Sequence, residues 1–251
     1  MIKKNILSLL FVILYITSFA QIVNVEKKRK DTKGFQATLS LDFNLKDNGK
    51  RFTELKNNID LQYSHKAHTF IFLNNIKLLN IDKGSFINNG FQHLRYNYTL
   101  KDTGSVTLEA FVQHQYNEQK LLKKRFITGG GPRIRLVKTE RITWYVAPLA
   151  MYEYELLSDS LSSVTKLFRL DSYTNFRFSF NDLVSFNHIT YYQPDFGNFE
   201  DFRISSETGF RFNIGKHLSY GVNYSFDYDN QPPENVQNTF WYLNNKLILK
   251  L

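Results

Sequence analysis

The chain contains no cysteine. That excludes disulfides, thiolate metal sites, cysteine nucleophiles and a lipidated N-terminal cysteine. Beyond residue 20 there is no long apolar run, and the mean hydropathy is −0.37, so no mature segment reads as a membrane-spanning helix. A membrane barrel is untouched by that absence, because a barrel strand needs only ~10 residues and half of them are polar. Low-complexity tracts, a domain linker and any repeat beyond hairpins are missing too. Only 5 prolines occur in 251 residues, and Pro232-Pro233 marks a loop rather than a domain boundary.

What the chain has in quantity is aromatic side chains (16%) and positive charge, formally +9. Its N-terminus carries Lys3 and Lys4, then an apolar core from Ile6 to Ile16, then Thr17-Ser18-Phe19-Ala20. This order of charge, short core and small residues reads as a secretory signal peptide cut after Ala20. Losing two lysines leaves a mature charge of +7. Residues 21–33 then form a charged periplasmic lead-in, with the run Glu26-Lys27-Lys28-Arg29-Lys30-Asp31. Solvation is the plain reading of this run; contact with anionic headgroups or with the inside of a barrel is the sharper one.

From residue 34 the pattern is period 2. Phe35, Ala37, Leu39, Leu41, Phe43 and Leu45 alternate with Gln36, Thr38, Ser40, Asp42, Asn44 and Lys46. Residues 53–64 repeat it, and 208–228 give a hairpin with Phe210, Phe212, Tyr220, Val222 and Tyr224 on one face. Strands are expected at about 35–46, 53–64, 67–81, 90–101, 105–117, 122–138, 141–156, 164–181, 183–193, 201–215, 217–229 and 237–251. Two of them alternate poorly. Residues 67–81 carry apolar side chains on both faces, and in 183–193 His188 and Thr190 fall on the apolar face.

The expected strands are far longer than the usual 5–6 residues of soluble sheets, as a tilted wall through a bilayer requires. The links after the second, fourth, sixth, eighth and tenth strands read as tight. Those after the seventh, ninth and eleventh ("LSDSLSS", "QPDFGNFE", "DNQPPEN") read as longer and those after the first, third and fifth as middling, placing both termini on the short-turn, periplasmic rim. The polar face carries Lys56, Asp60, Glu109, Arg203, Glu207, Arg211, Asn223, Asp227 and Lys246, whose charged members are too costly to bury unpaired in a sandwich core. These nine are the candidate lumen-lining residues. Trp144, Tyr152, Tyr154, Tyr191, Tyr192, Tyr228 and Trp241 lie near strand ends, as interfacial girdles do. In Gly129-Gly130-Gly131-Pro132 the glycines are expected to permit a bend or to leave room for a bulky neighbour in the lumen.

Several of these pieces resemble a known family. "EAFVQHQYNEQKLLKKRFITGGGPRIRL" followed by "YVAPLAMYEYE", and the closing "SYGVNYSFDYDNQPP", are similar to an outer-membrane β-barrel family of unknown function. It includes the salt-induced outer-membrane protein YdiY of enteric bacteria. The resemblance covers most of residues 34–251, and "IVNVEKKRK" looks like its Bacteroidota-type branch. It implies a barrel in the outer membrane and supplies no reaction and no binding residues.

Catalytic signals are weak. A rim-active lipid or lipopolysaccharide hydrolase needs a Ser–His–acid set at one height. His65, His68, His93, His114, His188 and His217 show no serine partner of suitable phase and height. Asp195, Glu200 and Asp201 cluster in one loop without the spacing of a cation loop. The expectation is a transmembrane antiparallel β-barrel of about 12 strands over 34–251, with both termini periplasmic, in a Gram-negative outer membrane. Its role is structural or passive transport through a narrow polar lumen, with a lipid-modifying hydrolase and an extracellular binding scaffold as alternatives. No enzyme activity, cofactor, metal or nucleic-acid partner is expected. The expected partners are outer-membrane lipid, lipopolysaccharide phosphates meeting exposed Lys and Arg, and the insertion machinery that reads the last strand; the oligomeric state stays open.

Overall fold

The computed structural model describes Arg29 and residues 33–249, apart from 48, 83, 101–103, 159–161 and 216. The signal-peptide assignment, most of the lead-in and Leu251 lie outside these residues. The fold is all-β: one antiparallel sheet of 12 strands in sequence order. The strands are β1 (Gly34–Asp47), β2 (Arg51–His65), β3 (His68–Ile81), β4 (Gly84–Thr99), β5 (Val106–Asn117), β6 (Leu122–Lys138), β7 (Ile142–Leu157), β8 (Val164–Ser179), β9 (Val184–Pro194), β10 (Phe202–Asn213), β11 (Leu218–Asp229) and β12 (Thr239–Leu249). A single 3-10 turn, Glu118–Lys120, caps the β5–β6 link, where the Asn117 side chain accepts from the backbone N–H of Lys120.

Strand lengths of 11 to 17 residues follow from the uninterrupted alternation. The register joins outward positions to outward positions around the whole sheet: Phe35 to Tyr63, Phe70 to Tyr96, Ala110 to Gly130, Ala150 to Leu170, Tyr192 to Ile204 and Tyr224 to Leu243. The outer face is accordingly apolar and exposed, with Leu94, Leu108, Val112, Phe126, Phe168, Phe210 and Trp241 standing free. Opposite strands meet inside: the Tyr173 hydroxyl on β8 donates to Glu109 on β5 at 2.9 Å, and Arg203 on β10 reaches Glu153 on β7 at 2.9 Å. The sheet therefore curls around a packed interior.

Three expectations change. β4 begins at Gly84, six residues before the expected start at 90, through "GSFINNG". Its turn-forming residues argue against a strand, but the long partner β3 pairs with it, past a bulge at Leu79/Asn80. The links 48–50 and 82–83 are as short as those on the terminal rim, and 100–105 is long for that rim, so tight and long links alternate only in the second half of the chain. Tyr191 does not join a girdle: it points inward, 3% exposed, while Tyr192 points out. Successive residues in a strand cannot share a face.

The glycine run creates space. Gly129 faces inward, and a Cβ there would stand 2.9 Å from Cζ of Phe111 and 2.6 Å from the backbone oxygen of Ala150. The register shifts of this strand against β7 lie elsewhere, at Leu122/Lys124 and Arg135/Val137. Gly129→Leu is expected to destabilise the folded protein by roughly 3 kcal/mol or more, through overpacking against Phe111. Gly221→Ala, whose nearest atoms would be 3.8 Å away, should change it by less than about 1 kcal/mol. Urea unfolding in detergent micelles measures both.

Candidate functional site

The interior is the candidate site, and it is built in layers. Towards the terminal rim, Glu109 on β5 is 3% exposed. Arg95 on β4 binds it at 3.1 Å, Tyr173 donates to it, and Arg29 of the N-terminal charged run binds it at 2.7 Å. Arg29 also donates to Asn97, so this member of the run lies inside the sheet rather than in solvent. Above this level Phe111, Ile127, Leu149, Met151, Tyr173, Ile189 and Tyr191 form an apolar cluster. His93, 2% exposed, is held beside it by Gln113 at 3.0 Å and Arg95 at 3.3 Å.

The next layer is ionic. Glu153 on β7 is fully buried. Its carboxylate takes Arg125 of β6 in a short ion pair, Arg203 of β10 at 2.9 Å and Arg169 of β8 at 3.4 Å. Arg203 continues to Glu155 at 3.3 Å and Asp229 at 2.8 Å. Arg169 meets the carboxylate of Asp201, in the link after β9, at 3.0 Å. Charges this deep persist only when paired from several sides. The backbone oxygen of Asp201 accepts from the Asp195 N–H at 2.9 Å, and the Glu200 N–H donates to the Asn198 side chain at 3.2 Å.

Beyond the ionic layer lies a cavity of about 270 Å³, bounded by β2–β7, the 3-10 turn, β10, β11, the link 230–238 and β12. Lys120 stands over the Phe240 ring at 4.9 Å. Burial pushes its ammonium below the usual lysine range, and the nearby Asp227 opposes that shift.

All nine candidate residues share the inward register; Lys56, Arg203 and Asp227 meet at this cavity, and the other six do not line it. Glu109 belongs to the lower ionic layer, Arg203 to the upper one. Asp227 accepts from Ser205 at 2.6 Å, and Lys56 pairs with Glu54 at 2.8 Å. Asp60 is in register with Thr38, Glu207 with Ser225, and Asn223 donates to Ser225. Arg211 and Lys246 both stand in register with Gly221, on exposed stretches of β10 and β12.

Sequence reasoning missed two polar rows on the outer face. Asn57, Asn74, Gln92 and His114 form a chain of side-chain hydrogen bonds across β2–β5, at 2.7, 3.1 and 2.8 Å. His188 binds Thr208 at 2.8 Å and Thr190 at 2.9 Å, and Thr190 reaches Ser206 at 3.1 Å. Their partners lie on neighbouring strands, so only the register brings them together. The His188 row offers a base and hydroxyls, and its hydrogen bonds run to no carboxylate.

The family described as "Protein of unknown function, DUF481" matches residues 50–248. Two solved structures are similar at 10% identity. One, described as the NanC porin, has a TM-score of 0.45 and covers 84% of this chain and 100% of its own. The other, described as a bacterial polysaccharide outer membrane secretin, has a TM-score of 0.44 and covers 87% of this chain and 86% of its own. Curated proteins give no match.

Removing one partner of the buried ionic layer leaves the others uncompensated. Glu153→Leu is expected to cost roughly 3–5 kcal/mol in urea unfolding, whereas Lys246→Gln, on the exposed stretch of β12, should stay within about 0.5 kcal/mol.

Proposed function

The chain belongs to the DUF481 family of unknown function, and we propose that it is an outer-membrane β-barrel with a narrow polar lumen, serving as a structural or passive-transport barrel. One observation carries this reading: the inner face is divided. Across β4–β10 it is filled by the apolar cluster and the two ionic layers. Along β1 and β12 the inward side chains Thr38, Ser40, Asp42, Asn44, Asn244 and Lys246 are polar and exposed. A small hydrated solute has room along the second part and in the cavity above the ionic layer.

The apolar outer face, the signal-peptide reading of residues 1–20 and the aromatic side chains near the strand ends support a membrane setting. The "GGGPRIRL" and "YEYE" strands support kinship with YdiY and "IVNVEKKRK" a Bacteroidota-type branch; the longer links after β7, β9 and β11 support periplasmic termini, and the net positive charge supports surface Lys and Arg meeting lipopolysaccharide phosphates. Among the described residues, β1 and β12 pair only with β2 and β11. In lipid every unpaired backbone group costs several kcal/mol, so these two edges close on each other. They run antiparallel, and both turn their odd-numbered residues outward, as closure requires.

In planar bilayers the wild type should show small, steady conductance, and Arg211→Glu with Lys246→Glu should shift its selectivity toward cations. Ion flux no greater than that of protein-free bilayers contradicts a passage. Closure has its own check in this cysteine-free chain. Leu41→Cys paired in turn with Leu243→Cys, Asn245→Cys or Leu247→Cys should give one efficient cross-link in membranes, and no cross-link in any pair contradicts it.

A further inference from the structure

We infer that the cavity above the ionic layer is a binding site for a neutral, polyhydroxylated ligand: a sugar of one or two rings. The inference deepens the passive-transport reading and rests on it for the cavity's access to solutes. Its first wall is built by register. One cross-strand row runs Asn58, Asn75, Phe91, Gln115; the next runs Lys56, Lys77, Asn89, Asn117. Five carboxamides from four consecutive strands thus face one cavity. Each carboxamide carries two donors and a two-lone-pair acceptor, the pattern that matches hydroxyls, which both donate and accept. Neighbouring strands are ~4.8 Å apart, comparable with the span of alternate hydroxyls on a pyranose ring.

Apolar groups line the cavity as well. Pro232, Pro233 and Val236 of the link 230–238 line it together with Phe240 of β12, and Phe91 and Leu122 line the β4–β6 side. A sugar ring has the complementary character, with apolar C–H faces and a polar edge. Wet clefts with a few placed polar groups on an apolar frame are the usual form of small-molecule sites.

Charge argues for neutrality. The cations around the cavity have carboxylates beside them: Lys56 has Glu54 at 2.8 Å, Arg203 has Asp229 at 2.8 Å, and Arg125 has Glu155 at 3.6 Å. Lys120 faces Asp227 and Asp229, and Lys77, opposite Lys56, has Glu54 nearby. These carboxylates blunt the field that would select an anion, and the five carboxamides supply recognition of hydroxyls.

Calorimetry on the folded full-length protein in micelles tests this with glucose, maltose, glucuronate and spermidine. Glucose or maltose should bind with a Kd of about 1–10 mM. Asn75→Leu should weaken that binding about fivefold or more with strand content unchanged, and Lys166→Gln, on an exposed stretch of β8 away from the cavity, should leave it unaltered. If Asn75→Leu does not fold, Phe240→Ala carries the same expectation through the lost ring face. The inference is overturned if neither neutral sugar binds. It is equally overturned if glucuronate binds more tightly than glucose and loses that affinity in Lys77→Gln. Sugar binding without conductance overturns the passage alone; conductance without sugar binding overturns this site alone.

Discussion

A carboxylate with no access to water organises this sheet. Glu153 sits at the inner face of β7, and an isolated charge there would cost several kcal/mol. Its compensation comes from Arg125, Arg169 and Arg203, on β6, β8 and β10. Reaching one carboxylate from β6 and from β10 demands tight curvature across β6–β10. The same curvature brings Tyr173 to Glu109 and packs the apolar cluster between the two ionic layers. The space left over lies beside β1, β2, β11 and β12 and above the ionic layer, and this is where polar side chains keep their exposure. Filled and open parts of the interior are consequences of one charge being satisfied.

Much of this was legible in the alternation of the chain. Strict period 2 places Arg203, Glu207 and Arg211 on one face whatever their neighbours, and the expected bounds of β6, 122–138, are those observed. What the alternation could not supply is register. The arginines around Glu153 lie up to 50 residues from it in sequence, and the carboxamide wall comes from four strands. Nothing in a single strand announces either. The early start of β4 is a tertiary override: "GSFINNG" has the chemistry of a loop, and pairing with β3 outweighs it. Arg29 follows the less expected of the two readings of its charge run. A charge run usually stays solvated, and only the buried Glu109 gives it cause to enter the sheet.

The outer face explains why a polar residue at an outward position is tolerated. His188 and Thr190 spoil the alternation of β9, yet their polar atoms bind Thr208 and Ser206 across the strand boundary. Asn57, Asn74, Gln92 and His114 solve the same problem on the other side. In a low-dielectric surrounding a satisfied row costs little and an unsatisfied one a great deal. Both rows are what an apolar surface facing lipid would require of the polar groups it carries.

The central claim is that the Phe- and Leu-bearing face meets lipid and the ion-paired face does not. Single cysteines placed along β8 of the membrane-reconstituted protein test it most directly, since the native chain has no thiol. Accessibility to a lipid-dissolved quencher and to a water-soluble thiol reagent should alternate along the strand. Phe168, Leu170 and Phe176 are predicted to be quenched from the bilayer, with Arg169, Asp171 and Asn175 shielded from it. Water-soluble reagent labelling positions 168, 170 and 176 freely, without quenching from lipid, would contradict the account.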